Sequence, residues 1–509
     1  MFNNPILPGF NPDPSICKAN GKYYIVVSTF EYFPGLPIYS SDNLITWEFC
    51  CFALTKKEHL DLSTSKNSAG LYAPTIRYHD NQFYIVCTNK ATIGNFLITT
   101  KNILGPWSEP ISIGTKGIDP SLFWDDDGSC FYCSTGSEGN VRGIIGYYLD
   151  VQTGKALSTP RLISRGNGGH SVEGPHIFKK EGYYYLLTAE GGTEYNHHET
   201  IARSTSLTGP YEGPTKSTIL SQVGEKENPV QATGHVDMFQ DEDNNWYAVF
   251  LGIRKFGKAL LHNLGRETFM EKVSWSSAGW PVIGSDGITK IISDTRNQVL
   301  TIPFDAQFDA HPWQYLRYKR ENYFRIAKET LIVDDHGDRN KKIPALLCYR
   351  QTAFSQVFSV SVDTEKSQAE YYGVTAFYNS DYHYDLVISD RTIVLAYTIH
   401  GLTAIQCKTP ISGNRMHLEI MTDRESYSFF CNDTLVGRLP IAGLCTETTM
   451  YMTFTGTLFG LFSYNGKAVF IDGLTIKTLE GNKEKSQDNP SQPNFRTLST
   501  KTLTRSGSN

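Results

Sequence analysis

One phrase recurs five times in the first 310 residues of this 509-residue chain, and it limits the fold more than any other feature. Each copy is a polar or glycine turn, then aromatic residues, then an apolar run. The copies are Gly21-Lys-Tyr-Tyr24-Ile-Val-Val, Asn81-Gln-Phe-Tyr84-Ile-Val-Cys, Asp127-Gly-Ser-Cys-Phe-Tyr132-Cys, Gly182-Tyr-Tyr-Tyr185-Leu-Leu and Asn244-Asn-Trp-Tyr247-Ala-Val-Phe. Their marker tyrosines are separated by 60, 48, 53 and 62 residues. That period accommodates a four-stranded blade, so five units predict a five-bladed β-propeller rather than a set of unrelated hairpins. Aromatics make up 13% of the chain. Strand packing explains that first, and sugar stacking second.

The positions 11 to 13 residues upstream of the markers hold Asp13, Ala73, Asp119, Glu173 and His235. Equivalent positions in successive blades are related by rotation about one axis, so side chains that face the axis converge. Singly, an Asp before Pro, as at Asp13 and Asp119, reads as turn chemistry. Recurrence at matched offsets favours a shared role, because gathered carboxylates lose hydration and repel one another. Such crowding drives their pKa values apart. Glycoside hydrolysis needs that separation: a protonated carboxyl to donate to the leaving oxygen, and an ionised one to activate water or attack carbon. His235 reads as a satisfied polar core residue, a proton relay, or a ligand to a central cation whose shell water completes.

A formal net charge of −5 and a pI of about 6.2 provide no basic surface for nucleic acid or an anionic membrane. No apolar run of about 18 residues exists to span a bilayer. The start, Met1-Phe-Asn-Asn-Pro, lacks the features of a signal peptide. The expected compartment is the cytoplasm, or the exterior if the sequence is a processed form. Ten cysteines are dispersed along the chain. Cys130-Phe-Tyr-Cys133 has C-x-x-C spacing, but on a strand those two positions face opposite ways. Buried free thiols are expected there, with metal or redox use as the alternative. The sequon Asn432-Asp-Thr434 is expected to be unused.

The segments Gly9-Phe-Asn-Pro-Asp-Pro-Ser-Ile16, Ser28-Thr-Phe-Glu-Tyr-Phe-Pro-Gly35, Tyr72-Ala-Pro-Thr75, Gly117-Ile-Asp-Pro-Ser121, Val172-Glu-Gly-Pro-His176, Ala189-Glu-Gly-Gly-Thr193 and Gly265-Arg-Glu-Thr-Phe269 resemble glycoside hydrolase family 43. The likeness is to its β-xylosidase and α-L-arabinofuranosidase branch. That resemblance implies a five-bladed propeller and single-displacement hydrolysis with inversion. It implies Asp13 as general base, Glu173 as general acid and Asp119 as the carboxylate that tunes and orients the acid. It also implies Phe30, Tyr72 and Arg266 as substrate-binding residues. The family often carries Trp where this chain has Tyr32 and Tyr72, which bears on pentose preference rather than reaction class.

Residues 1–310 are thus expected to form the catalytic propeller and 311–324 a connector. Residues 325–478 alternate, as in His383-Tyr-Asp-Leu-Val-Ile388 and Met416-His-Leu-Glu-Ile-Met421. Alternation predicts half-buried antiparallel strands, hence a β-sandwich of jelly-roll or concanavalin-like type. The whole is an all-β protein. The resemblance extends to this sandwich, and implies that it reaches over the propeller mouth, with Phe454 as the candidate contact. Residues 479–509 have little to bury and are expected to be a disordered tail.

The activity expected is exo-acting release of D-xylose from non-reducing ends of β-1,4-xylo-oligosaccharides, with α-L-arabinofuranosidase side activity. The alternatives are an enzyme mainly for arabinofuranosyl side chains of arabinoxylan or arabinan, and a non-catalytic carbohydrate-binding protein. No cofactor is expected for the chemistry, and a structural calcium near His235 is an open expectation. The substrate is the expected partner, with neither nucleic acid nor membrane; a homo-oligomer stays open.

Overall fold

A computed structural model describes residues 2–114, 116–256, 260–289, 298–318, 322–335 and 344–479. These residues contain no α-helix, only strands and three short 3-10 turns. None of their helical segments is long and apolar enough to cross a membrane. Apart from Leu479, the expected C-terminal tail lies outside the described residues.

Five antiparallel sheets follow one another in sequence. Their innermost strands are Ser15–Ala19, Thr75–His79, Ser121–Trp124, Glu173–Lys180 and Val230–Gln240, in blades 1 to 5. Each inner strand touches that of the next blade, and the fifth touches the first. The ring is closed by the N-terminal segment, where Leu7 bridges Thr268 of blade 5 and Asn4 Nδ2 donates to the Met270 carbonyl at 2.9 Å.

All five marker tyrosines lie on the second strand of a blade, and all are buried. These strands show no alternation of burial, as in Trp246–Arg254, because neighbouring blades cover both faces. Aromatic pairs join every blade to the next. Tyr24 meets Phe83, Tyr84 meets Trp124, Phe123 meets Tyr184, Phe178 meets Trp246, and Phe239 meets Tyr23, with centroids 4.7 to 6.0 Å apart. Each such pair contributes about 0.5–1.5 kcal/mol beyond its buried area. Most of the repeated aromatics therefore serve blade packing.

The second domain is a sandwich of two eight-stranded sheets. Alternation holds in two of the strands expected to show it, where Tyr382, Tyr384, Leu386 and Ile388 are buried, as are Met416, Leu418 and Ile420; residues 357–362 and 372–377, also expected to alternate, are buried at every position. The domain boundaries differ from those expected. Strand Gln298–Ile302 pairs with Gly466–Thr478, so one sandwich sheet begins inside the stretch assigned to the propeller. The expected connector contains strand Gln314–Leu316, which pairs on one side with Ala345–Arg350. On its other side it pairs with Tyr32–Phe33, a loop segment of blade 1. A propeller segment is thus the edge strand of a sandwich sheet. One apolar core runs across the junction, from Leu36, Leu54 and Leu71 to Leu347, Phe358 and Leu461.

All ten cysteines are free thiols, and both Cys130 and Cys133 are buried.

Candidate active site

Asp13 and Asp119 sit just ahead of the first strands of blades 1 and 3, Glu173 begins that of blade 4, and His235 lies within that of blade 5. Asp13, Asp119 and His235 share a left-handed backbone, with φ of 54°, 56° and 56°. Non-glycine residues adopt it at a cost, so its recurrence marks a constrained site. The same kink in three blades turns each side chain toward the axis. Blade 2 has the small Ala73 at this position, which leaves space. The four titratable residues and Ala73 line one narrow pocket of about 70 Å3 with Phe30, Tyr72, Arg266 and Phe454.

Asp13 is almost fully buried. Arg266 Nη1 donates to its Oδ1 at 2.8 Å and Nη2 to its Oδ2 at 3.3 Å. Ser28 Oγ donates to Oδ2 at 2.5 Å. The segment leading to Asp13 lies beside the arginine, since the Asn11 N–H donates to the Arg266 carbonyl at 3.0 Å. Arg266 Nη1 also donates to Thr193 Oγ1 at 3.0 Å, while its buried Nε has no partner.

Glu173 faces the pocket with no hydrogen bond to its carboxyl from another described residue. Burial, then the charge of Asp13, pushes its pKa up from the ordinary 4.5 to about 7, against the pull of Arg266. Burial also drives Asp119 well above its ordinary value, followed by the charges of Glu173 and Asp13. The Gly174 N–H, donating to Asp119 Oδ2 at 3.2 Å, opposes that shift. One arginine cannot balance three carboxylates, so the site retains a proton near neutral pH.

His235 is buried, and burial lowers its pKa, leaving a neutral imidazole. It packs against Gly174, where a Cβ would come within 2.9 Å of the ring at a backbone φ of 58°. Among the described residues no three His, Cys, Asp or Glu side chains converge as metal ligands. The imidazole can ligate a cation, but the oxygen shell that calcium takes would have to come from water.

The apolar wall is built by both domains. Phe30 lies 5.3 Å from Tyr72 and 5.5 Å from Phe454, between ring centroids. Arg266 lies over the Phe30 and Phe454 rings. Phe454 comes from the sandwich, and its N–H donates to Ser68 Oγ at 2.9 Å. Close approach requires glycine here: a Cβ on Gly456 would fall 2.2 Å from the Leu264 carbonyl oxygen, beside the bend that carries Arg266 just ahead of strand Glu267–Trp275. A wider cavity of about 430 Å3 adjoins the pocket, shares Thr193 and Arg266 with it, and is walled by Tyr195, His262 and the sandwich segment 446–453. Glu447 of that segment pairs with His262 at 2.6 Å and accepts from Tyr195 Oη at 2.8 Å.

Every residue expected in the site is therefore placed around one pocket. Sequence reasoning did not assign Thr193, although it ends a motif segment quoted above. It also missed His197, which lines the pocket and is neutral because burial lowers its pKa to about 3. No local signal separates His197 from its neighbour His198.

The profile for glycosyl hydrolases family 43 matches residues 2–281, and that for the β-xylosidase C-terminal concanavalin A-like domain matches residues 302–469. A non-reducing end α-L-arabinofuranosidase from Bacteroides ovatus is 35% identical over 496 residues, covering 92% of each chain. A xylosidase/arabinosidase from Butyrivibrio fibrisolvens is 32% identical, covering 92% of this chain and 96% of its own. The crystal structure of a xylan β-1,4-xylosidase from Bacillus halodurans superposes with a TM-score of 0.85 at 30% identity, over 94% of this chain and all of that one.

Proposed function

The chain belongs to glycosyl hydrolases family 43, and from that premise we propose that it is an exo-acting β-xylosidase. It releases D-xylose from the non-reducing ends of β-1,4-xylo-oligosaccharides by inverting single displacement, with α-L-arabinofuranosidase side activity. One observation carries this reading: Glu173, with its pKa near 7 and its carboxyl unengaged, shares a pocket with Asp13, which a guanidinium grips through both oxygens.

In this mechanism Asp13 takes a proton from a water molecule, which attacks the anomeric carbon. Glu173 donates its proton to the leaving oxygen as the glycosidic bond breaks. Asp119, whose Oδ2 accepts from the Gly174 N–H next to Glu173, tunes and orients that acid. Arg266, which lines the pocket, holds Asp13 in place and presents its guanidinium edge toward the sugar hydroxyls. Phe30, Tyr72 and Phe454 pack on the apolar face of the terminal sugar. The adjoining cavity takes the remainder of the oligosaccharide. A wall contributed by the second domain favours a chain end over a through-running chain. Calcium near His235, otherwise hydrated, would be structural and takes no part in the bond-breaking step.

The full-length likeness to the Bacteroides arabinofuranosidase favours a second reading, in which α-L-arabinofuranosides are the main substrates. Release of 4-nitrophenol from the β-D-xylopyranoside and the α-L-arabinofuranoside, by wild type and Glu173→Ala, tests both. Xyloside turnover that collapses in the variant, with α-xylose as first product by NMR, supports the proposal. Arabinoside turnover alone promotes the second reading. No turnover of either by folded wild type defeats both.

A further inference from the structure

Below the carboxylates the axis of the propeller is occupied by one side chain. Arg77, on the inner strand of blade 2, makes contact with the inner strands of the other four blades. Its Nη1 and Nη2 donate to Asp237 Oδ2 and Oδ1 of blade 5 at 2.7 and 3.0 Å. Nη1 also reaches Ser15 Oγ of blade 1 at 3.1 Å, and the Ile16 carbonyl at 3.4 Å. Nε donates to the Leu122 carbonyl of blade 3 at 3.2 Å. Nη2 lies 2.9 Å from His176 Nδ1 of blade 4, which is the acceptor nitrogen of a neutral imidazole, since burial lowers its pKa to about 3. Asp237 in turn accepts from Ser15 Oγ at 2.7 Å and from the Ile16 N–H at 3.1 Å.

Each of these ties lies two to four residues along the chain from a pocket-facing position. Ser15 follows Asp13, Leu122 follows Asp119, His176 follows Glu173, Asp237 follows His235, and Arg77 follows Ala73. A planar fork with fixed donor directions suits this task, and an ammonium group does not. Neither Arg77 nor Asp237 lines the pocket.

We propose that Arg77 is a positioning residue for the hydrolysis: by locking five inner strands to one another, it sets the separation of the Asp13 and Glu173 carboxyls. An inverting enzyme must hold those groups roughly 6.5–9.5 Å apart, with a water between base and sugar. A misplacement of about 1 Å can cost about 100-fold in rate. The inference rests on the acid and base assignments made above.

The test compares Arg77→Lys, Arg77→Met combined with Asp237→Asn, and the single-tie variants Ser15→Ala and His176→Gln. For each, kcat, KM and their pH dependence on the aryl xyloside are measured with the melting temperature, and Glu173→Ala runs in parallel. The expected result for Arg77→Lys is a kcat loss of about 10- to 100-fold with KM within a few-fold. The alkaline limb of kcat should move, because the surroundings of Glu173 change. The double variant removes both charges together, so it leaves no unpaired ion and is expected to fold. Ser15→Ala and His176→Gln should show weaker versions of the same kcat effect, and they carry the test if the arginine variants do not fold. Folded variants with wild-type kcat and an unmoved limb would overturn the proposal. So would rate losses that vanish at temperatures where the variant is fully folded. Undiminished turnover by Glu173→Ala would instead overturn the acid assignment, whatever Arg77 does.

Discussion

At the mouth of the propeller axis Asp13, Asp119 and Glu173 share one arginine, whereas a few residues down the same inner strands Asp237 has Arg77, Ser15 and a backbone N–H to itself. Asp13, Asp119, Asp237 and Ser15 are buried, and Glu173 and Arg77 are partly buried. At the mouth, burial and repulsion raise the pKa of Asp119 and Glu173. Below, burial also raises Asp237, but Arg77 and the hydrogen bonds outweigh it, and the result is about 2. The same inner strands thus carry one carboxylate cluster that keeps a proton near neutral pH and one carboxylate that gives it up. The difference separates function from architecture: an imbalance of charge marks where chemistry is done, and a balanced pair marks where the fold is pinned.

Substitutions should divide along this line. Asp13→Asn should remove the proposed base and lower kcat by about 100- to 10,000-fold, while circular dichroism shows an unchanged fold. Asp237→Asn should do the reverse in stability. It leaves the Arg77 guanidinium, whose side chain is 18% exposed, without its counter-ion, at a cost of about 1–3 kcal/mol read by denaturant unfolding. An Asp237→Asn protein as stable as wild type would dissolve the contrast.

The pH dependence should carry opposite signs. The pKa of Glu173 is raised, from 4.5 to about 7. Its contribution to stability is complete below pH 4.5 and lost as pH rises through about 7. Turnover, which in the proposed mechanism needs the same proton, should fall over that window, by roughly tenfold per unit above it. The pKa of Asp237 is depressed, from 3.8 to about 2. Its contribution is present above pH 3.8 and lost as pH falls through about 2. Melting temperature against pH should have a shallower alkaline slope in Glu173→Gln, the remainder coming from other raised carboxyls such as Asp119, and should keep its acid slope.

The smallest effect is expected from the sandwich wall. Phe454→Ala should raise KM several-fold, on the order of 1 kcal/mol, by removing one ring of three, and leave the pH limbs in place. An unchanged KM would show that Phe454 closes the pocket without touching the sugar.

The blades were legible in the sequence because their aromatics repeat, and they repeat because each must meet the next sheet. Asp13, Asp119 and Glu173 were legible because rotation turns equal offsets into neighbouring positions. A second ring of polar residues was equally legible and was missed. Ser15, Thr75, Ser121, His176 and Asp237 stand two or three places after the pocket-facing positions, in strands that otherwise demand apolar residues. The strand Gln298–Ile302 could not be assigned from local text, because its partner lies about 170 residues further on. The wall of Tyr195, His262 and Glu447 was hidden for the same reason: it is made only where two domains meet, and no period spans them.

The loan of Tyr32–Phe33 to a sandwich sheet has a consequence in time. Blade 1 emerges first during synthesis, yet the strands beside that segment, Gln314–Leu316 and Ala345–Arg350, follow some 280 to 320 residues later. Phe454 arrives later still. The pocket therefore lacks its sandwich wall in any nascent chain that stops short of Phe454, however complete its propeller. In refolding, enzymatic activity should return as the last and slowest signal, behind tyrosine burial and sheet formation. For this molecule activity is a clock for domain docking.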